Sequence, residues 1–192
     1  MKRACAISRP WWKNALPNQP GRSGLPVDKN SIILIGMPGS GKSTVGIILA
    51  KLTGRDLLDT DILIQLEEGR SLQEIVDNEG HLALRKIEQR VLLGIDHERH
   101  VISTGGSAVY SEAAMNHLKS LGPLVFLDVA LPILQQRIRN FDTRGLAKRP
   151  DQTLEDLFEE RRALYEKHAD VTINGNSLNQ EEMAEAIAAA LG

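Results

Sequence analysis

The chain has 192 residues, 42% hydrophobic and 25% charged, which is the balance of one soluble globular domain with a substantial core. A formal net charge of −2 excludes a global positive field, so nucleic acid and membrane surfaces are not the expected partners. One cysteine, Cys5, rules out a disulfide framework within the chain and fits a reducing, cytoplasmic setting, and no apolar run is long enough to span a bilayer.

Residues 1–30 hold Pro10, Pro17, Pro20 and Pro26 with Gly21 and Gly24, and Trp11-Trp12 lie between them. They lack helical or strand periodicity and the apolar core of a secretory signal, so a disordered N-terminal extension is expected, with a single domain over 31–192. The domain opens with the apolar run Ile32–Ile35, read as a buried strand, and Gly36 to Ser43 then read G-M-P-G-S-G-K-S. A helix is predicted over Lys42–Leu52, apolar at Val45, Ile48, Leu49 and Leu52. Strand, glycine-rich loop and helix together form the P-loop pattern for nucleoside triphosphates. Glycines let successive N–H groups point inward, and the helix dipole favours negative charge there. Gly39, Ser40, Gly41, Lys42, Ser43 and Thr44 are the predicted nucleotide contacts. Lys42 reaches the β- and γ-phosphates of ATP, and the Ser43 hydroxyl holds Mg²⁺.

Asp56–Leu58 is a second short strand, ending at Asp59-Thr60-Asp61. In a strand or tight turn alternate residues point the same way, so both carboxylates are expected above the P-loop. One joins the Mg²⁺ shell through water and the other orients a substrate hydroxyl. Ser71–Asn78 is a predicted helix with a Ser71/Glu74 capping box. The helix His81–Glu98 carries Arg85 and Glu88 on one face, read as a carboxylate-binding arginine held by a glutamate. His100–Ser103 is the third strand, and Thr104-Gly105-Gly106-Ser107 after it suggests close backbone approach to a ligand.

Glu112–Ser120 reads as a packing helix, Leu124–Val129 as the fourth strand and Pro132–Asn140 as another helix. Arg139 precedes a cationic, turn-rich stretch with Arg144, Lys148 and Arg149, read as a mobile lid over about 140–152 whose arginine closes on the transferring group. The helix Leu154–His168 carries Arg161 and Arg162, and its phase leaves open which faces inward. Val171–Ile173 is the fifth strand and Glu181–Leu191 the last helix. Short apolar strands alternating with helices imply an α/β fold, a five-stranded parallel sheet covered on both faces as a three-layer α/β/α sandwich. Ligands of such sheets sit at the carboxyl ends of the strands, where these residues cluster.

Taken in order and spacing, G-M-P-G-S-G-K-S-T, L-D-T-D, the R-x-x-E of Arg85 and Glu88, G-G, the lid arginine and R-x-x-L-Y resemble the shikimate kinase family from about Ser31 onward. That family is a P-loop kinase of the nucleoside-monophosphate-kinase type. The resemblance implies transfer of the ATP γ-phosphate to the 3-hydroxyl of shikimate, by what is expected to be a monomer. It implies Mg²⁺ held by Ser43 and, through water, Asp59. Asp61 would position the nucleophile, Arg85 and Arg161 would pair with the carboxylate, and Gly105 and Gly106 would offer N–H groups. Arg144 matches the lid arginine, and Arg139 falls near a position flanking the adenine. The chain departs from the family's pattern at Leu84 (usually Phe), Ser107 (usually a third glycine) and Gly145 (usually Pro), all near the acceptor pocket or its lid. Three other readings stand beside this one. They are a kinase of another small hydroxy acid such as homoserine, a nucleoside-monophosphate kinase, and a non-catalytic nucleotide-binding regulator.

Overall fold

Strand β1 (Ile32–Ile35) is wholly buried, and its alternation feeds two cores. Ile33 and Ile35 face one side with Ile102 and Phe126; Ile32 and Leu34 face the other with Val101, Val125 and Leu127. In a computed structural model that describes residues 30–138, 145–149 and 151–192, β1 pairs in parallel with β3 (His100–Ser103) and β4 (Leu124–Asp128). Beyond them lie β2 (Asp56–Asp59), parallel to β3, and β5 (Val171–Asn174), parallel to β4, giving the order β2-β3-β1-β4-β5.

Helices α1 (Lys42–Thr53) and α8 (Gln180–Leu191) cover one face through Val45, Leu49, Met183 and Ile187. On the other lie α4 (His81–Leu93), α5 (Glu112–Leu121), α6 (Leu131–Arg137) and α7 (Leu154–His168). The expected three-layer α/β/α sandwich is present. A third, smaller core gathers Ile64 of α2 (Thr60–Glu68), Ile75 of α3 (Leu72–Glu79), Leu84 and Val91 of α4, and Ala147. It builds a lobe beside the sheet's carboxyl edge and anchors the segment 145–149 there.

Helix α2 corrects the sequence reading, which expected a strand end or tight turn at Asp59-Thr60-Asp61. Asp59 is the N-cap, accepting hydrogen bonds from the Asp61 and Ile62 N–H groups at 3.0 and 3.4 Å, and Gly69 closes the helix in a left-handed conformation (φ 66°). Asp59 and Asp61 are therefore related by a helix start, not by strand alternation. Helix α4 also stops at Leu93, five residues short of the expected Glu98. The Gly94 N–H donates to the carbonyls of Arg90 and Val91, tightening the last turn, and the chain reaches β3 through Arg99 at φ 59°. Helix α6 ends at Arg137, short of the expected Asn140, because Ile138 turns to an extended conformation (φ −96°, ψ 94°). The predicted extension 1–30 lies, Asn30 apart, outside the described residues. No described helix is long and apolar enough to cross a membrane.

Candidate active site

The P-loop leaves the carboxyl end of β1 and enters α1 at Gly41, in the left-handed region at φ 99°. Gly39 also has positive φ, at 81°, and a Cβ there would lie 2.8 Å from Ile138. A side chain at either position would straighten the loop or collide. Lys42, 7% exposed, donates from Nζ to the carbonyls of Gly36 and Met37 at 2.8 and 2.9 Å, so its ammonium sits in the mouth of the loop. Ser43 Oγ donates to Asp59 Oδ2 at 2.6 Å, tying the first turn of α1 to the end of β2. Ser40 lies beneath the loop, its hydroxyl buried without a hydrogen-bond partner.

One cavity of ≈ 300 Å³ runs from this loop to the lobe of α2, α3 and α4. Its P-loop end is bordered by Gly39, Gly41, Lys42, Ser43 and Thr44. Its far end is bordered by Asp61, Glu88, Gly105, Gly106, Ser107 and Arg161. The Gly105 N–H donates to Thr60 Oγ1 at 3.0 Å, and Tyr165 Oη donates to the Gly106 carbonyl at 2.7 Å, fixing the Gly-Gly turn after β3. A Cβ on Gly105 would lie 2.7 Å from Asp61 Oδ1 and closer still to Glu88 Oε1.

Arg161 settles the phase of α7. It is 1% exposed and donates from Nη2 to the Ala147 carbonyl at 2.9 Å, while Arg162 pairs outside with Asp128 at 3.0 Å and Glu166 at 2.9 Å. Arg85 lies beside the main cavity and borders a smaller neighbouring one. Its guanidinium stacks 3.5 Å above the Tyr110 ring and donates to the same Ala147 carbonyl at 3.3 Å. Two guanidinium groups thus converge on one carbonyl oxygen, as they would on a carboxylate.

From residue 38 to residue 192 the sequence matches the family model described as shikimate kinase. It is 39% identical over 155 residues to the shikimate kinase of Aquifex aeolicus (strain VF5), covering 80% of this chain and 92% of that one. The solved shikimate kinase from Acinetobacter baumannii, a complex with shikimate, superposes with a TM-score of 0.78 at 32% identity, over 84% of this chain and 92% of that chain. The Aquifex aeolicus structure superposes at 0.71 with 37% identity, over 84% of this chain and 95% of that one.

The chain belongs to the shikimate kinase family.

In this family member Glu88 is 2% exposed. Burial, then the charge of Asp61, lifts its carboxyl to about 7, against the pull of Ser107, Arg161 and Arg85. Glu88 accepts a hydrogen bond from the Ser107 hydroxyl and does not hold Arg85 as expected from the sequence, because Arg85 turns to the Tyr110 ring and the Ala147 carbonyl. Burial lowers the Arg85 pKa and raises that of Tyr110. Arg139 and Arg144 lie outside the described residues, as do 140–144 and 150 of the predicted lid. Arg137, the last residue of α6, borders the cavity and was not among the residues singled out from the sequence. Tyr110 was missed as well, because its approach to Arg85 depends on the short 3₁₀ turn Ala108–Tyr110 after β3. Gln73 was the third omission, since its bond to the Gly145 N–H at 2.6 Å spans 72 residues of chain.

Proposed function

We propose that the protein transfers the γ-phosphate of ATP to the 3-hydroxyl of shikimate, acting in the cytoplasm as a single kinase domain over 31–192. The observation that carries this is the one cavity bordered by the P-loop lysine at one end and by Asp61, Gly105, Gly106 and Arg161 at the other. Donor phosphates and a hydroxylated acid fit side by side there, and transfer becomes a matter of positioning and charge stabilisation.

Gly39, Ser40, Gly41 and Thr44 cradle the phosphates with backbone N–H groups. Lys42 exchanges its two carbonyl partners for phosphate oxygens. Asp61 accepts from the attacking hydroxyl and aligns it, while the N–H groups of Gly105 and Gly106 contact the acceptor. Arg161, with Arg85 behind it, takes the acceptor's carboxylate in place of the Ala147 carbonyl. Arg144, on a lid over about 140–152, closes on the transferring phosphoryl group, and Arg139 flanks the adenine. The oxygen atoms Ser43 Oγ and Asp59 Oδ2, 2.6 Å apart beside the P-loop, suit Mg²⁺, which the hydroxyl would hold directly and the carboxylate through water. Bound there, the ion would supply neutralisation of charge on the phosphate oxygens. No cluster of three or more His, Cys, Asp or Glu with metal-binding geometry occurs among the described residues, and Mg²⁺ that keeps waters and phosphates as ligands needs none.

ADP release by purified protein with ATP and Mg²⁺, in parallel with shikimate, homoserine and no acceptor, tests the reading. Stimulation by shikimate alone is expected, and Lys42→Ala should lower that rate about a thousandfold. Stimulation by homoserine alone, or by neither, would overturn it.

A further inference from the structure

The two carboxylate oxygens of Glu88 have unlike surroundings. Oε2 accepts a hydrogen bond from Ser107 Oγ, and Ser107 is itself 8% exposed. Oε1 is buried with no hydrogen-bond partner, and it lies against Gly105 on the side where Asp61 Oδ1 also lies. Glu88, Asp61 and Ser107 all border the cavity. A buried carboxylate oxygen without a donor is costly, so the arrangement favours a cavity occupant that brings one. A polyhydroxylated acceptor brings several.

We propose that Ser107 is a positioning residue for the acceptor: its hydroxyl holds Glu88 by Oε2, so that Oε1 accepts a hydrogen bond from a ring hydroxyl beside Asp61. This rests on the kinase reading above and assigns a role to a residue the reaction itself does not require. The rotation of a free glutamate side chain would otherwise let Oε1 turn away from the acceptor. The charged and titratable groups facing Glu88 are Asp61 from α2, Arg85 from its own helix, and Arg161 and Tyr165 from α7. The arginines favour the ionised carboxylate and Asp61 opposes it. The Ser107 donor also favours the ionised form, so its loss leaves Glu88 protonated to higher pH.

The test is steady-state kinetics on the full chain between about pH 6 and 9, comparing unaltered enzyme with Ser107→Ala and Ser107→Thr. Ser107→Ala should raise the KM for shikimate about tenfold, leave the KM for ATP in place, and move the acid limb of kcat/KM for shikimate to higher pH. Ser107→Thr keeps the hydroxyl and should restore both. If Ser107→Ala does not fold, Ser107→Gly replaces it with the same expectation. An unmoved KM and acid limb in an enzyme that otherwise phosphorylates shikimate would overturn the role of Ser107 alone. Unaltered enzyme that does not phosphorylate shikimate would overturn the kinase reading, and the role of Ser107 with it.

Discussion

At Gly105 the missing side chain lets Asp61 and Glu88 approach the same point. Gly105→Ala would put a methyl group 2.7 Å from Asp61 Oδ1 and against Glu88 Oε1, so one carboxylate must leave. Overpacking of this kind costs about 1–3 kcal/mol. The expected outcome is a rise of tenfold or more in the KM for shikimate, with the KM for ATP unchanged, read from initial rates. Glu88 itself makes a prediction about pH. Its carboxyl is raised from 4.5 to about 7 in the folded protein, so the folded state holds a proton that the unfolded chain gives up. The stability that this contributes is complete below the ordinary value and is lost as pH rises through about 7. Glu88→Gln removes the titration. Its melting temperature, relative to that of the unaltered protein, should therefore climb by several degrees from pH 5 to pH 8 in thermal scans. Parallel curves would contradict the assignment. Helical spacing made it legible that Arg85 and Glu88 share one helix, but not their partners, since Arg85 turns to Tyr110 and Ala147. The bond from Ser107 to Glu88 was not legible either, because it links a loop to a helix across the site.

Segment 145–149 shows how an element is held by partners far away in the chain. Gly145 sits at φ 64°, and a Cβ there would lie 2.6 Å from the Gln73 backbone nitrogen. Proline, usual in the family at this place, can neither adopt that φ nor donate the N–H that Gly145 gives to Gln73 Oε1. The path of this segment onto α3 is therefore specific to a glycine. Gln73→Ala should speed amide exchange at Gly145 about tenfold while leaving exchange in the sheet unchanged. Helix α7, which carries Arg161, starts from a capping box in which Thr153 and Asp156 bond reciprocally at 3.0 and 3.1 Å. Thr153→Ala should cost about 1 kcal/mol and lower the melting temperature by roughly 2–4 °C. The strands and most helix starts were legible because apolar runs and caps are local signals. Helix α2 was hidden because Ile62-Leu63-Ile64 continues the apolar pattern of a strand, and only the Asp59 cap and Gly69 mark its ends.

Across the whole molecule, the parallel sheet brings residues from five separate stretches to one edge. The P-loop follows the central strand β1, and Gly105 and Gly106 follow β3 beside it. Asp61 enters from α2, Glu88 from α4 and Arg161 from α7. The order and spacing of motifs pointed to this assembly, because each lies just after a strand or on a helix, although the choice between Arg161 and Arg162 needed the packing of α7. The third core of Ile64, Ile75, Leu84, Val91 and Ala147 was not legible, since it depends on how three short helices meet. That core shapes the far end of the cavity, where Leu84, Ser107 and Gly145 depart from the family's usual residues. The most direct measurement is a single-turnover reaction with γ-labelled ATP, Mg²⁺ and shikimate, with the product's phosphate position read by phosphorus and proton NMR. Label is expected on the 3-hydroxyl of shikimate, and none when Lys42 is replaced by Ala. Label on another hydroxyl, or label released only as inorganic phosphate, would contradict the proposed transfer.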